Sequence, residues 1–144
     1  MNTKKYLIAG ALALTMSAPA MAQEVNYAKA LEPITAALKA APNDPKAAKD
    51  LIKEYQKTFK KDEEAIVALG NVYLLQHNFT EAEAIANTVI NNKKFNGSKA
   101  YVLLGDIAAI QDSIGNAGAA ATQYQTAISL DPQNVTAYER YAKV

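Results

Sequence analysis

Leu-Gly occurs at Leu69-Gly70 and again at Leu104-Gly105, 35 residues further on. A recurrence at that interval constrains the fold more than any single residue. A supersecondary unit of such length cannot bury its own apolar stripe and must share it with a neighbour. Between and around the two copies, apolar residues recur every three to four positions, the period of a half-buried helix. The periodicity predicts a helix over 26–40, with Tyr27, Ala30, Leu31, Ile34, Ala37 and Leu38 on one stripe. Pro33 should bend it, or mark its true start. Pro42-Asn43-Asp44-Pro45 reads as a turn, with Asp44 capping a second helix over 45–59 and Pro45 in its first position. Further helices are expected over 63–76, 80–91, from a cap at Ser98 to about 111, over 119–130, and from 134 to the chain end. The stretch 112–118, with two glycines, reads as a loop. No strand-like alternation competes, so the expected class is all-α, with about seven helices.

Composition agrees. Of the 144 residues, half are hydrophobic and 20% are charged, which is a globular balance. Ala is the commonest residue, Gly numbers only 6 and Trp is absent, which favours helices. There are 15 basic and 14 acidic residues, so nothing supports a nucleic-acid footprint or a polybasic membrane patch. The absence of Cys excludes disulfides, thiolate metal sites, Cys nucleophiles and lipid attachment through Cys. No metal and no cofactor is expected, and oligomeric state is left open.

The N-terminus carries an address. Lys4 and Lys5 precede a mostly apolar run from Tyr6 to Met16, and Ala20-Met21-Ala22 supplies the small residues a signal peptidase requires. Residues 1–22 read as a signal peptide cut between Ala22 and Gln23. The apolar run is too short for the ~20 residues of a membrane span. The expected protein is exported, periplasmic and soluble after cleavage.

At the level of units, Leu69, Gly70, Tyr73 and Ala82 are succeeded by Leu104, Gly105, Ala120, Tyr124, Ala127 and Pro132. This order of Leu-Gly, Tyr, Ala, aromatic, Ala and exit Pro resembles the tetratricopeptide repeat (TPR) family. The export signal and the Leu-Gly-Asn-Val-Tyr start also resemble exported tetratricopeptide-repeat proteins of Bacteroidetes. The resemblance implies an α-α superhelix of antiparallel helix hairpins. It divides the chain into a degenerate hairpin over 23–62, a repeat over 63–97, a second over 98–134 with a loop insertion, and the start of a further repeat or a capping helix over 135–144. Ala108 stands where the family prefers Tyr, and Lys60 and Lys94 stand where it prefers Pro. The last ten residues read as the opening of an unfinished repeat, so a piece of a longer protein is expected. In physical terms Gly70, Gly105, Ala82, Ala120 and Ala127 let helices approach, and Tyr73, Tyr101 and Tyr124 fill the remaining space.

In such arrays the first helix of each pair lines a concave groove. The groove candidates here are Glu64, Val67, Asn71 and Leu74, then Lys99, Val102, Asp106 and Ala109. Chaperone-binding members of the family grip a peptide carboxylate with Lys and Asn side chains. Asn71 matches that pattern, but Val67 replaces a Lys and Asp106 the second Asn, which disfavours a carboxylate clamp. The expected function is therefore a scaffold that binds a partner protein or peptide on a mixed, mildly apolar surface. Two alternatives stand beside it: a glycan-binding accessory protein, and an N-terminal interaction module of a longer enzyme. Relatives that bind glycans are Cys-anchored and Trp-rich, and this chain has neither residue.

No catalytic role is expected. The single histidine, His77, sits at a turn beside Asn78 and Phe79, without a nucleophile and orienting acid. Glu63, Glu64, Glu81 and Glu83 fall in first turns of expected helices, where negative charge is favoured. Asn78, Asn96 and Asn134 head N-glycosylation sequons that lie at turns and caps. Asp112-Ser113-Ile114 resembles short O-glycan acceptor sites of exported Bacteroidetes proteins, with Ser113 the acceptor.

Overall fold

The computed structural model describes residues 18–111 and 117–144, with side chains from 27 onward. Among the described residues there are seven α-helices and no strand: α1 (Ala18–Ala40), α2 (Lys49–Thr58), α3 (Glu63–Leu75), α4 (Phe79–Ile90), α5 (Ser98–Gln111), α6 (Ala117–Leu130) and α7 (Val135–Ala142). Most of the expected signal segment and the Ser113 acceptor lie outside the described residues, while the 22/23 junction falls within α1.

Where boundaries differ from expectation, local chemistry gives the reason. Within the described residues α1 reaches back to Ala18 and does not begin near 26, because between Pro19 and Ala40 nothing stops it. It also runs through Pro33 without interruption. Pro33 and Lys29 are both exposed, so the carbonyl deprived of its donor faces water. α2 starts four residues late. Asp44 does not cap α2, whose N-cap position falls to Ala48 with no side-chain bond; the Asp44 carboxylate accepts from the Lys46 N–H at 3.0 Å in the turn before it, and the residues after it form a tighter turn. Ala47 N–H donates to the Asp44 carbonyl and Lys49 N–H to that of Lys46, three residues back, before the α pattern begins at Ile52 N–H to Ala48 O. α6 takes Gly118 into its first turn, so the expected loop ends sooner; a Cβ on Gly118 would meet nothing within 4 Å.

His77 has a physical reason for its turn. It is the one non-glycine residue with positive φ (60°) among the described residues. His77 N–H donates to Leu74 O at 2.9 Å and Asn78 N–H to Tyr73 O at 2.9 Å. These are the paired bonds of a Schellman helix end, with His77 in the position usually given to glycine. Its ring meets Phe79 edge-on, with centroids 5.4 Å apart.

Every substantial helix contact is between neighbours one or two places apart in the chain. α1 meets α3, α3 meets α5 and α5 meets α7, while α4 packs on both α3 and α5, and α6 on both α5 and α7. This is the nearest-neighbour packing of a helical repeat. The core divides at α5. Ala100, Leu103 and Ile107 join the larger cluster with α1 to α4, whereas Val102, with Tyr101 and Ala108, joins Ala120, Tyr124, Ala127 and Ala137.

Leu69, Gly70, Tyr73, Ala82, Gly105, Ala120, Tyr124 and Ala127 are all buried, Leu104 is half-buried and Pro132 exposed. The two glycines make room for side chains. A Cβ on Gly70 would collide with Leu103 Cδ2 and lie 3.3 Å from Ile85 Cγ2; one on Gly105 would collide with the Tyr124 ring. Ser98 is not the expected cap. It is the first residue of α5, and its hydroxyl, fully buried, donates to Ala127 O at 2.7 Å and accepts from Asn134 Nδ2 at 2.9 Å. The entry to α5 is instead held by Glu63, whose carboxylate accepts from Asn96 N–H at 3.1 Å and Gly97 N–H at 2.8 Å.

Candidate functional site

The contacts among α1, α3, α5 and α7 place these helices side by side, and two adjoining hollows open between them. The smaller, about 200 Å³, is lined by Tyr27 of α1, Glu64, Val67, Ala68 and Asn71 of α3, Lys99 and Val102 of α5, and Asn134 and Thr136 at the start of α7. The larger, about 520 Å³, is lined by Asn71, Leu74 and Leu75, by Asp106, Ala109 and Ile110, and by Tyr124, Arg140, Lys143 and Val144. Asn71 borders both.

All eight groove candidates line these hollows: Glu64, Val67, Asn71, Lys99 and Val102 the first, and Asn71, Leu74, Asp106 and Ala109 the second. The cause is spacing. Positions 64, 67, 71 and 74 fall on one face of α3, and 99, 102, 106 and 109 repeat that spacing on α5.

Their chemistry divides into three kinds. Val67, Leu74 and Val102 are buried and form an apolar floor. The carboxylates are engaged internally: Glu64 accepts from the Tyr27 hydroxyl at 2.6 Å, and Asp106 from the Tyr124 hydroxyl at 2.6 Å and from Arg140 Nε at 3.1 Å. Asn71 and Lys99 are exposed, and neither has a hydrogen bond or ion pair among the described residues. Among the groove candidates, the polar groups free to meet a ligand are thus one amide and one ammonium above an apolar floor.

The Tyr124 hydroxyl is held well above the ordinary tyrosine pKa, chiefly by burial, then by its bond to the Asp106 carboxylate and that group's charge, with Arg140 partly opposing. It stays a neutral donor and fixes Asp106. Arg140 then ties α7 to α5 through the same carboxylate. Arg140 is not among the groove candidates read from the sequence. Residues 106 and 140 lie 34 apart on successive odd-numbered helices, and their pairing depends on how one helix sits against the next.

Elsewhere no chemistry converges. Among the described residues no three His, Asp or Glu side chains come together as metal ligands, and no helix is long and apolar enough to cross a membrane. Glu63, read from sequence as a helix-end charge, is the clamp on the α5 entry. The amides of two sequon asparagines are used within the fold, Asn96 Nδ2 donating to Leu130 O at 3.0 Å and Asn134 Nδ2 to Ser98 Oγ. No protein-family model matches the chain, and no curated protein or solved structure matches it either.

Proposed function

We propose that this chain is an exported interaction scaffold of tetratricopeptide-repeat type, a superhelix of helix hairpins that binds an extended segment or a helix of a partner protein across α1, α3, α5 and α7. The observation that carries the reading is the pair of adjoining hollows on that face, with an apolar floor and the unpaired Asn71 and Lys99 at its edge. The floor supplies desolvation, and an amide can pair with a partner's backbone. Because the odd-numbered helices pack on one another, the surface is formed before binding and loses little ordering entropy. The reading includes no reaction: the carboxylates of the face are spent on tyrosine hydroxyls and Arg140.

A photo-crosslinking residue placed at Asn71 or Ala109 tests it in the producing cell, with Thr88 on the exposed side of α4 as the comparison. A discrete protein adduct at 71 and 109, absent at 88, supports the reading. Equal labelling at all three positions, or none at 71 and 109, overturns it. Export is tested separately: N-terminal sequencing of the mature protein should begin at Gln23.

A further inference from the structure

Asn96-Gly97 is the single Asn-Gly pair in the sequence. Asparagine before glycine is the pairing least hindered toward cyclisation, since no Cβ shields the following backbone nitrogen. That nitrogen, on losing its proton, attacks the asparagine Cγ. The Cγ–Nδ2 bond breaks, ammonia leaves carrying the proton, and a succinimide ring forms. Water then opens either carbonyl to give aspartate or isoaspartate.

The fold restrains every atom of that reaction. Gly97 N–H, the nucleophile's proton, is held by Glu63 Oε2 at 2.8 Å. A carboxylate at that distance opposes formation of the amide anion. Asn96 Oδ1 is held by Ser98 N–H at 3.0 Å, and Nδ2, the leaving group, by Leu130 O at 3.0 Å. Asn96 itself is exposed, so water reaches the ring once it forms. We propose that Asn96-Gly97 is a latent self-modification site, closed by Glu63 across the α3–α5 junction, and that release of this clamp converts Asn96 irreversibly to aspartate or isoaspartate.

The product would prevent reclosure. It lacks the donor that Leu130 O requires, and it brings a second carboxylate beside Glu63. The modification therefore records that the junction has opened. Asn134, the matching position before α7, precedes Val135, whose branched side chain blocks the attack; it serves as an internal control.

The test tracks isoaspartate and ammonia release in mildly alkaline buffer, with peptide mapping of residue 96. Native wild-type protein should convert about tenfold or more slowly than the same chain in urea, the factor equivalent to one charge-assisted hydrogen bond. Glu63→Gln and Glu63→Ala should convert about tenfold faster than wild type under native conditions. Ile52→Val, a mild core change away from the junction, should stay near the wild-type rate once stability is matched with dilute urea. Wild-type conversion as fast in native buffer as in urea would overturn the proposal. So would Glu63 variants that convert at the wild-type rate or more slowly, the latter showing Glu63 acting as a base. Equal acceleration in stability-matched Ile52→Val would assign the effect to global unfolding and also overturn it.

Discussion

The hairpins α3/α4 and α5/α6 pack the same space with opposite assignments of bulk. In the first, the large residue is Tyr73 on the leading helix and the matching residue on the trailing helix is Ala86. In the second, Ala108 stands on the leading helix and Tyr124 on the trailing one. Both tyrosines are buried, each in its own cluster. The glycine of each pair behaves accordingly: Gly70 receives Leu103 and Ile85, whereas Gly105 receives the Tyr124 ring. What the two hairpins share is a glycine whose missing side chain is replaced by a large neighbour, and the helix that supplies the neighbour differs. The exchange adds one feature. Placed on α6, the tyrosine hydroxyl reaches Asp106 and through it Arg140, so the second hairpin gains a polar tie to α7.

The strongest break of this comparison is Tyr124→Ala, expected to cost about 3–5 kcal/mol in urea unfolding. Adding Ala108→Tyr, which gives the second hairpin the first one's arrangement, should recover about 1 kcal/mol or more of that loss. A double variant that loses the sum of the single effects would show that the exchange is coincidental. Next in size is the glycine pair. Gly105→Ala should cost about 1–3 kcal/mol, because the Tyr124 ring is pinned at both ends and cannot retreat. Gly70→Ala should cost under about 1 kcal/mol, since Leu103 Cδ2 is a movable tip and alanine gains about 1 kcal/mol in helix propensity. Thermal denaturation of the two variants ranks them.

A smaller separation comes with pH. Burial raises the folded pKa of Tyr55, Tyr73 and Tyr124 above the ordinary 10.0. Their contribution is therefore complete below pH 10 and is lost as pH rises above it, because the unfolded chain ionises first. Each adds a slope of up to about 1.4 kcal/mol per pH unit in that range. Tyr124→Phe should flatten the alkaline limb of the stability curve by that amount and leave its neutral part level. An unchanged alkaline slope would show that Tyr124 ionises in the fold. The smallest effect concerns the link of the first hairpin: His77→Gly relieves a left-handed backbone and should stabilise by about 0.5–1 kcal/mol.

Much of this architecture is legible in the sequence, up to a definite limit. The stripes of Tyr27 to Leu38 and of Ala82 to Ile90 disclose helices because the signal lies within a dozen residues. The resemblance to the tetratricopeptide repeat, and not the recurrence alone, then implies that Glu64 to Leu74 and Lys99 to Ala109 lie on one side. Three details stay hidden: Glu63 as the clamp on Gly97, Ser98 as a bridge to α6 and α7, and Asp106 as the partner of both Tyr124 and Arg140. Except for the Tyr124 bond, each joins polar groups 29 to 36 residues apart. Their formation depends on the angle at which one unit sits on the next, which neither periodicity nor propensity encodes. The late start of α2 is different in kind: Pro45 is acceptable to an α-helix and to the tighter turn alike, so composition could not choose.

α5 is a party wall. Leu103 plugs the glycine of the hairpin before it, while Gly105, two residues along, accepts the tyrosine of α6, its own partner helix. A disturbance that rotates this helix is therefore felt in both rooms at once, whereas α2 or α7 can loosen alone. The molecule should fray from its ends toward a last-surviving partition in the middle, and amide protons of α5 should be the slowest to exchange.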